Sequence, residues 1–527
     1  MKNLLLGLLL INLGLASCQQ ENPPSSQVTP FVATANSTYQ PPVFTQEDRR
    51  DRLKSLADTI HNLMIEHAND LQIPGVAYGI VMDGELVIAS SLGVIDRDKD
   101  TPASTSSVFR IASMSKSFTA MAILKLRDEG KLNLDDPAQD YIPEMQKLNY
   151  LTSDAPPIRI RHLLTMSAGF PEDNPWGDRQ LDETDQMLLD LMNSGAAFST
   201  STGYQYEYSN TGYALLGNII SRVSGMSFQE YITANIFKPL EMHDTYWEFD
   251  NIPAEKLVHG YRWEDEQWKD EPMLHDGSYG AMGGLFTTIE DFSKYVNFHL
   301  SAWPARSEAD NGPLRRSSVR EMHYGTFPRL NSRSKDYNDE DCPSVVGYGY
   351  GLRTTRYCND IWQVGHGGAL PGFGSNYVFY PDYGIGLMAF GNLTYTGPYP
   401  LKKLEQLIFE KAGLEKRTLP LSSILEKRKD QVLELIQTWD PALEKEILAE
   451  NFYLDKDREH RKAEINKLLE KAGKLGEPKP FVNYNELRGF LDIPAENGIF
   501  YFYFTLTPEA DPKVQQLVVG LEEIDSK

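Results

Sequence analysis

Ser113-Met114-Ser115-Lys116 sets a hydroxyl and an amine three positions apart. On a helix, residues at i and i+3 are neighbours, so Lys116 would lie beside Ser113. A serine hydroxyl is a weak nucleophile until a base takes its proton. A buried lysine loses its proton near neutral pH and can be that base. A helix start adds free N–H groups and positive potential, which suit an oxyanion. A second copy, Ser332-Arg333-Ser334-Lys335, falls in the polar stretch 331–341 with no apolar face, and is set aside.

Two further groups complete a constellation. Tyr208-Ser209-Asn210 follows a turn at Gly203 and precedes a helix beginning at Thr211. A phenol there can take or relay a proton, and an amide can position a substrate carbonyl or the lysine. A rival, Tyr295-Val296-Asn297, falls inside an amphipathic helix, where the tyrosine reads as packing. His366-Gly367-Gly368 has strand-like sequence on both sides. Glycines on a strand let a substrate approach the backbone, and an imidazole can donate to a carboxylate or to developing charge. His275-Asp276-Gly277 lacks that strand setting. There is no CxxC and no HExxH, so no metal and no cofactor is expected.

The elements that must hold these residues can be read from periodicity. Arg49 to His67 has helical apolar spacing. Gly75 to Val81 and Glu85 to Ile95 are β-rich runs joined by Asp83-Gly84, a hairpin signal. Ser113 to Gly130, Ile158 to Ala168, Thr211 to Val223 and Thr288 to Leu300 read as helices. Strands return at Tyr348 to Arg356, Asp360 to Gly365, Ser375 to Tyr380 and Ile385 to Gly391, and a helix at Leu401 to Ala412 closes the region. The order predicts an α+β fold: an antiparallel sheet flanked by helices, with a helical insertion between its first and last strands.

Residues 423–475 are rich in Lys and Glu with helical spacing, and β patterns follow at Gly489 to Ile493, Gly498 to Leu506 and Lys513 to Glu523. They read as a small separate α+β domain over 414–527. Its aromatic run Phe500 to Phe504 suggests a well-covered strand. The 527 residues carry a net charge of −23, which argues against a nucleic-acid binder. The expected partner is a small-molecule or peptide substrate.

At the N-terminus, Lys2 and the apolar run Leu4 to Leu15 form a signal peptide, too short to span a bilayer. Leu15-Ala16-Ser17-Cys18 resembles a bacterial lipobox, which implies lipidation of Cys18 and anchoring of the exported chain in a bacterial cell envelope. Residues 1–18 are then expected to be the lipoprotein signal, 19–46 a flexible tether rich in Pro, Ser, Thr and Gln, and 47–413 the domain that carries the three motifs. Cys342 and Cys358 remain, and an exported compartment permits a disulfide between them.

The three motifs, in this order, resemble those of the serine β-lactamase and penicillin-binding-protein superfamily on its class C side. Phe109-Arg110-Ile111-Ala112, Asp128-Glu129-Gly130-Lys131-Leu132, Ile160-Arg161-His162-Leu163-Leu164-Thr165 and Gly283-Gly284-Leu285 are similar to segments of that family. The resemblance implies that Ser113 forms an acyl-enzyme and that Lys116 and Tyr208 share the base and acid roles. It implies that Asn210 orients substrate, and that the N–H groups of Ser113 and Ala369 form the oxyanion hole beside Gly367 and Gly368. One departure matters. The third motif is His-Gly-Gly where class C β-lactamases usually carry Lys-Thr-Gly. That form looks more like the family's D-aminopeptidases, D-Ala-D-Ala peptidases and esterases. Two alternatives stay open: a genuine class C β-lactamase, and an inactive binding protein on the same fold.

Overall fold

The computed structural model describes residues 34–523. The signal segment and Cys18 lie outside the described residues. Nine strands form one antiparallel sheet. Its order from one edge is Thr101–Pro102, Glu85–Asp96, Gly75–Met82, Ile385–Gly391, Phe373–Tyr380, Trp362–Leu370, Arg353–Tyr357, Ser344–Tyr348 and Thr326–Asn331. The first long strands pair with the last one, and the helical insertion is threaded between them in sequence. Asp83 and Gly84 both take positive φ, as the tight hairpin between Gly75–Met82 and Glu85–Asp96 demands.

The sheet is buried on both faces, so its central strands read as continuous apolar runs. Along Gly75–Met82, Val76, Tyr78, Ile80 and Met82 join one core with Leu53, Ile60, Leu404 and Ile408 of the flanking helices. Ala77 and Val81 join the other with Phe118, Phe292, Tyr295 and Tyr377. Each such side chain removed from water contributes about 1.5–3 kcal/mol, which holds the helical insertion against the sheet. At the centre of the second core runs the helix Ser115–Asp128, buried at every position from Ser115 to Leu124.

Several boundaries differ from the sequence expectation. The expected helix Arg49 to His67 is two helices, Arg49–Lys54 and Ala57–Asp70; the Ser55 hydroxyl donates to the Arg52 carbonyl and competes with the ladder. The expected helix Ile158 to Ala168 is only Ile160–Leu164, because Met166 turns to positive φ. The expected single strand Tyr348 to Arg356 is a hairpin. Ser344–Tyr348 and Arg353–Tyr357 pair around a turn in which Gly351 has φ +70°. A Cβ at 351 would stand 2.7 Å from the Ser117 Cα, so this turn presses on the backbone of the Ser115–Asp128 helix. A disulfide joins Cys342 and Cys358 across the open end of the same hairpin, with Cα atoms 5.2 Å apart.

The tether expected to reach residue 46 is docked on the body from Val43 onward. Val43 and Thr418 form a β-bridge, and Gln46 donates to the Gly413 carbonyl at 2.8 Å. Phe44 is the reason: the guanidiniums of Arg49 and Arg417 stand 3.4 and 4.3 Å from its ring centroid.

Residues from Ser423 on build their own core. Helices Ser423–Thr438, Pro441–Ile447 and Arg458–Ala472 pack on a four-stranded antiparallel sheet, Val482–Asn485, Arg488–Ala495, Gly498–Leu506 and Val514–Glu523. The aromatic strand is covered on one face only. Phe500, Phe502 and Phe504 are buried in this core, whereas Tyr501 is 36% exposed on the other side. No helix among the described residues is long and apolar enough to cross a membrane.

Candidate active site

Ser113 sits on a tight 3-10 turn, Ala112–Met114, that feeds the helix Ser115–Asp128. Ala112 has φ +50°, a left-handed conformation unusual for a residue with a Cβ. The turn is clamped from several directions. The Ser115 hydroxyl donates to the Ala112 carbonyl at 2.7 Å, and the Ser375 hydroxyl donates to the Ile111 carbonyl at 2.8 Å.

Lys116 is fully buried one turn along, and its Nζ is 2.9 Å from the Ser113 Oγ. Its other two donors go to the Asn210 Oδ1 at 2.7 Å and the Met282 carbonyl at 2.8 Å. The hydroxyl of Tyr208 donates to the Ser113 Oγ at 2.9 Å. Burial lowers the Lys116 ammonium from its ordinary value to about 7, opposed by the carboxylates of Asp178 and Asp173. Burial pushes the Tyr208 phenol well above its ordinary value. One of these two groups can therefore be unprotonated at neutral pH, and it is the lysine.

Asn210 opens the helix Asn210–Ser224, whose N-terminus is capped by the Ser209 hydroxyl. Its amide nitrogen donates to the Asn174 Oδ1 at 3.0 Å while its oxygen holds Lys116. The amide oxygen and one of its two N–H groups are thus engaged by the protein. In this geometry the Asn210 amide holds the lysine, one of the two roles open to it from the sequence.

His366 lies on the strand Trp362–Leu370, which runs straight through the third motif. Its Nδ1 contacts the Gly367 carbonyl at 2.5 Å, and its Nε2 is 3.1 Å from the Tyr348 hydroxyl. A carbonyl only accepts, so Nδ1 carries the proton and Nε2 accepts from Tyr348. Burial holds the ring well below its ordinary pKa, with the charges of Arg353 and Lys116 acting in the same direction. His366 is a neutral, doubly engaged imidazole 6.3 Å in centroid distance from the Tyr208 ring. Its donor is held by the Gly367 carbonyl of its own chain.

The neighbouring strand Arg353–Tyr357 pairs with 362–365 and then stops, leaving 366–370 with one bare edge. That edge carries Gly367, Gly368 and Ala369, and it borders an open cleft of ≈ 780 Å³ lined also by Ser113, Tyr208 and His366. Gly368 must be glycine: a Cβ there would run into the Ile111 carbonyl and the Ser375 hydroxyl. This contact brings the bare edge up to the Ser113 turn, so the N–H groups of Ser113 and Ala369 belong to two walls of one cleft.

The rival motifs lie elsewhere. Tyr295 is packed in the core with its ring centroid 3.8 Å from that of Phe118. Lys335 donates to the Asp339 carbonyl in an exposed loop, and His275 pairs with Glu248 at 3.0 Å on the surface. Glu248, Asp250 and His275 form a partly exposed cluster with nothing further to mark an ion site.

Five contributors escaped sequence reasoning. Asp173 accepts from the backbone N–H groups of Asn210 and Thr211, at 2.6 and 2.8 Å, and so sets the Asn210 helix in place. Asn174 fixes the orientation of the Asn210 amide, and Tyr348 that of the His366 ring. Asp178 and Arg353 both line the cleft. The stretch 171–180, which supplies three of these side chains, has no periodic pattern to announce it.

With this geometry in hand, the similarities to known proteins are as follows. The family model described as Beta-lactamase matches residues 56–409. Protein flp of Staphylococcus aureus (strain MW2) is 31% identical over 377 residues, 70% of this chain and 69% of that protein. The structure of the octameric penicillin-binding protein homologue from Pyrococcus abyssi is similar with a TM-score of 0.55 at 22% identity, covering 88% of this chain and 95% of that one. A class C beta-lactamase is similar with a TM-score of 0.54 at 17% identity, covering 68% of this chain and 96% of that one. The two structural likenesses concern the fold.

Proposed function

The chain belongs to the beta-lactamase family, and from that premise we propose that it is a serine hydrolase whose nucleophile is Ser113 and whose substrate is an ester, a D-amino-acid peptide or a related amide. The observation that carries this reading is the hydrogen-bonded trio of Ser113, Lys116 and Tyr208, with a lysine that is neutral in about half of molecules at pH 7.

When Lys116 is neutral its lone pair accepts the Ser113 proton, while its two remaining N–H bonds stay on Asn210 and Met282. The Ser113 Oγ then attacks the substrate carbonyl carbon, and its proton passes to the Lys116 Nζ. The N–H groups of Ser113 and Ala369 stabilise the oxyanion. Collapse breaks the bond to the leaving group, which takes its proton through the Tyr208 hydroxyl, resupplied from Lys116. Water repeats the sequence on the acyl-enzyme, giving the acid and free Ser113. Tyr208 acts as a relay because burial disfavours its phenolate.

The preference for esters and peptides over lactams rests on the third motif. A lysine there would present a cation to a substrate carboxylate, whereas His366 is neutral and engaged on both nitrogens. Arg353 is then the cation on the cleft wall, suited to a carboxylate on the leaving group. Export through residues 1–18, lipidation of Cys18 and residence in a bacterial cell envelope belong to the same proposal, supported by the sequence of that segment.

The test is hydrolysis by protein from residue 36 onward, with Ser113→Ala as control. A chromogenic cephalosporin, 4-nitrophenyl acetate and a D-alanyl peptide are run side by side. Ser113-dependent turnover of the ester or peptide with slow cephalosporin cleavage is expected. Fast Ser113-dependent cephalosporin turnover would return the chain to the β-lactamases. For the anchor, incorporation of labelled palmitate into the full chain should vanish in Cys18→Ser.

A further inference from the structure

Asp178 touches no reacting group in the chemistry above, yet it is a buried carboxylate, 4% exposed, on the wall of the Ser113 cleft. It lies on the 3-10 turn Gly177–Arg179 in the stretch that also carries Asn174. Among the described residues its hydrogen bonding is limited to the Tyr395 hydroxyl, at 3.2 Å, and no Lys, Arg or His nitrogen pairs with it. A buried carboxylate without a cation is unfavourable, because the anion has left water and gained little in exchange. Burial accordingly raises its pKa, with Lys116 and the Tyr395 hydroxyl opposing and Asp173 and Glu172 adding to the rise.

The surroundings give this position a sign. Asp173 is fully occupied at the Asn210 helix, so Asp178 is the acid of that stretch whose bonding is incomplete. Lys116 cannot serve as its lasting counter-ion: its three donors are committed to Ser113, Asn210 and Met282, and it must be neutral to act as base. Arg353, the other charge lining the cleft, acts on Tyr206 and His366, at the strand wall. Asn174, Pro175, Tyr395 and Thr396 complete the wall around Asp178 with polar and small groups that leave room for a compact head.

We propose that Asp178 is the seat for a protonated primary amine of the substrate, so that the cleft takes compounds bearing a free ammonium group close to the scissile carbonyl. This rests on the hydrolase reading above and narrows its substrate class to amino-acid esters, amides and peptides with an unblocked amino end. Tyr395, 47% exposed, would hold one carboxylate oxygen and leave the other to the ammonium.

Binding to Ser113→Ala protein keeps the test separate from the reaction. D-alanine amide and N-acetyl-D-alanine amide are titrated calorimetrically at pH 7.0, where the free amine is mostly ammonium, and the same pair is titrated into Ser113→Ala/Asp178→Asn. The free amine should bind at least tenfold more tightly than the acetylated compound, and Asp178→Asn should reduce that ratio to within threefold of unity. Equal binding of the two compounds, or a ratio that survives Asp178→Asn, overturns the proposal. Turnover is then compared in protein with Ser113 intact, using 4-nitrophenyl acetate, which carries no amine. D-alanine 4-nitroanilide, which carries the amine, is run beside it, and Asp178→Asn should lower kcat/KM for the anilide at least tenfold more than for the acetate. Equal losses on the two substrates, together with an unchanged amine ratio in binding, would make Asp178 a positioning group for Lys116 and overturn the seat. If Ser113-intact protein fails to turn over any substrate while the amine ratio holds, the hydrolase reading falls and the amine seat stands.

Discussion

The pH dependence of kcat/KM interrogates the lysine directly. Below its pKa Lys116 is an ammonium with three donors and no lone pair, and it cannot accept the Ser113 proton. With a pKa of about 7, about nine-tenths of molecules hold the neutral amine at pH 8 and about one in a hundred at pH 5, so kcat/KM falls about 90-fold between them. The assay is initial-rate hydrolysis of an uncharged aryl ester, whose own protonation adds nothing to the profile. Asp178 is the largest influence opposing the burial that lowers Lys116. Asp178→Asn should therefore move the limb to lower pH while leaving the plateau at pH 8.5 in place. Three results would refute the reasoning. A limb near about 4 would assign the base to a carboxylate, and a rise continuing past about 10 would assign it to Tyr208. A limb that moves upward in Asp178→Asn would mean that the carboxylate does not act on Lys116 as its placement implies.

The same pKa bears on stability. The folded value lies below the ordinary 10.5, so the unfolded chain binds more protons between about 7 and 10.5, and Lys116 makes stability rise with pH there. Melting temperatures from pH 7 to 9 should climb less in Lys116→Met than in the parent, and equal slopes would contradict this. Gly368→Ala should lower kcat/KM by about 100-fold or more by pushing the bare edge off the Ser113 turn, with circular dichroism unchanged; near-normal rates would show that the turn yields freely. Replacing Cys342 and Cys358 by Ser opens a link across 16 residues and should cost about 3 kcal/mol in urea unfolding, and an unchanged midpoint would deny the bridge a stabilising role. A chain ending at Leu419 keeps the Thr418 bridge to Val43 and loses the separate core of residues 425–517; it should retain ester hydrolysis within threefold, and an insoluble product would show that the two cores depend on each other.

The candidate site was legible because its parts lie in short, regular elements. Ser113 and Lys116 are on one helical turn, where periodicity fixes their spacing. Tyr208 and Asn210 flank a helix start, and the glycines of the third motif interrupt a strand. The hairpin at Asp83-Gly84 and the C-terminal strands announced themselves through turn residues. What stayed hidden depends on long-range contacts. Ser344–Tyr348 and Arg353–Tyr357 read as one strand because Tyr348, Tyr350 and Leu352 alternate like strand residues, and only packing against the Ser117 backbone folds Gly351 into a turn. Asp173, Asn174 and Asp178 occupy a loop whose order comes from what it caps and covers, and no local pattern encodes that. Phe44 looked like tether until Arg49 and Arg417, far apart in sequence, closed on its ring.

The bare stretch at 366–370 has a consequence for how these molecules behave in a crowd. An unpaired strand edge is a template on which other chains add, and proteins usually blunt such edges with charge, proline or a covering element. Here the strand is unblunted, because bulk at Gly368 would ruin its approach to the Ser113 turn and bulk at Gly367 would run into Asn376. Protection comes instead from the opposite wall. Asn174, Pro175, Asp178 and Tyr208 of the helical insertion line the same cleft as Gly367 and Gly368, so the edge faces a wall of its own chain. The wall that aims Tyr208 thereby keeps neighbouring molecules from zipping together edge to edge, and a misfolded insertion would bring self-association along with lost activity.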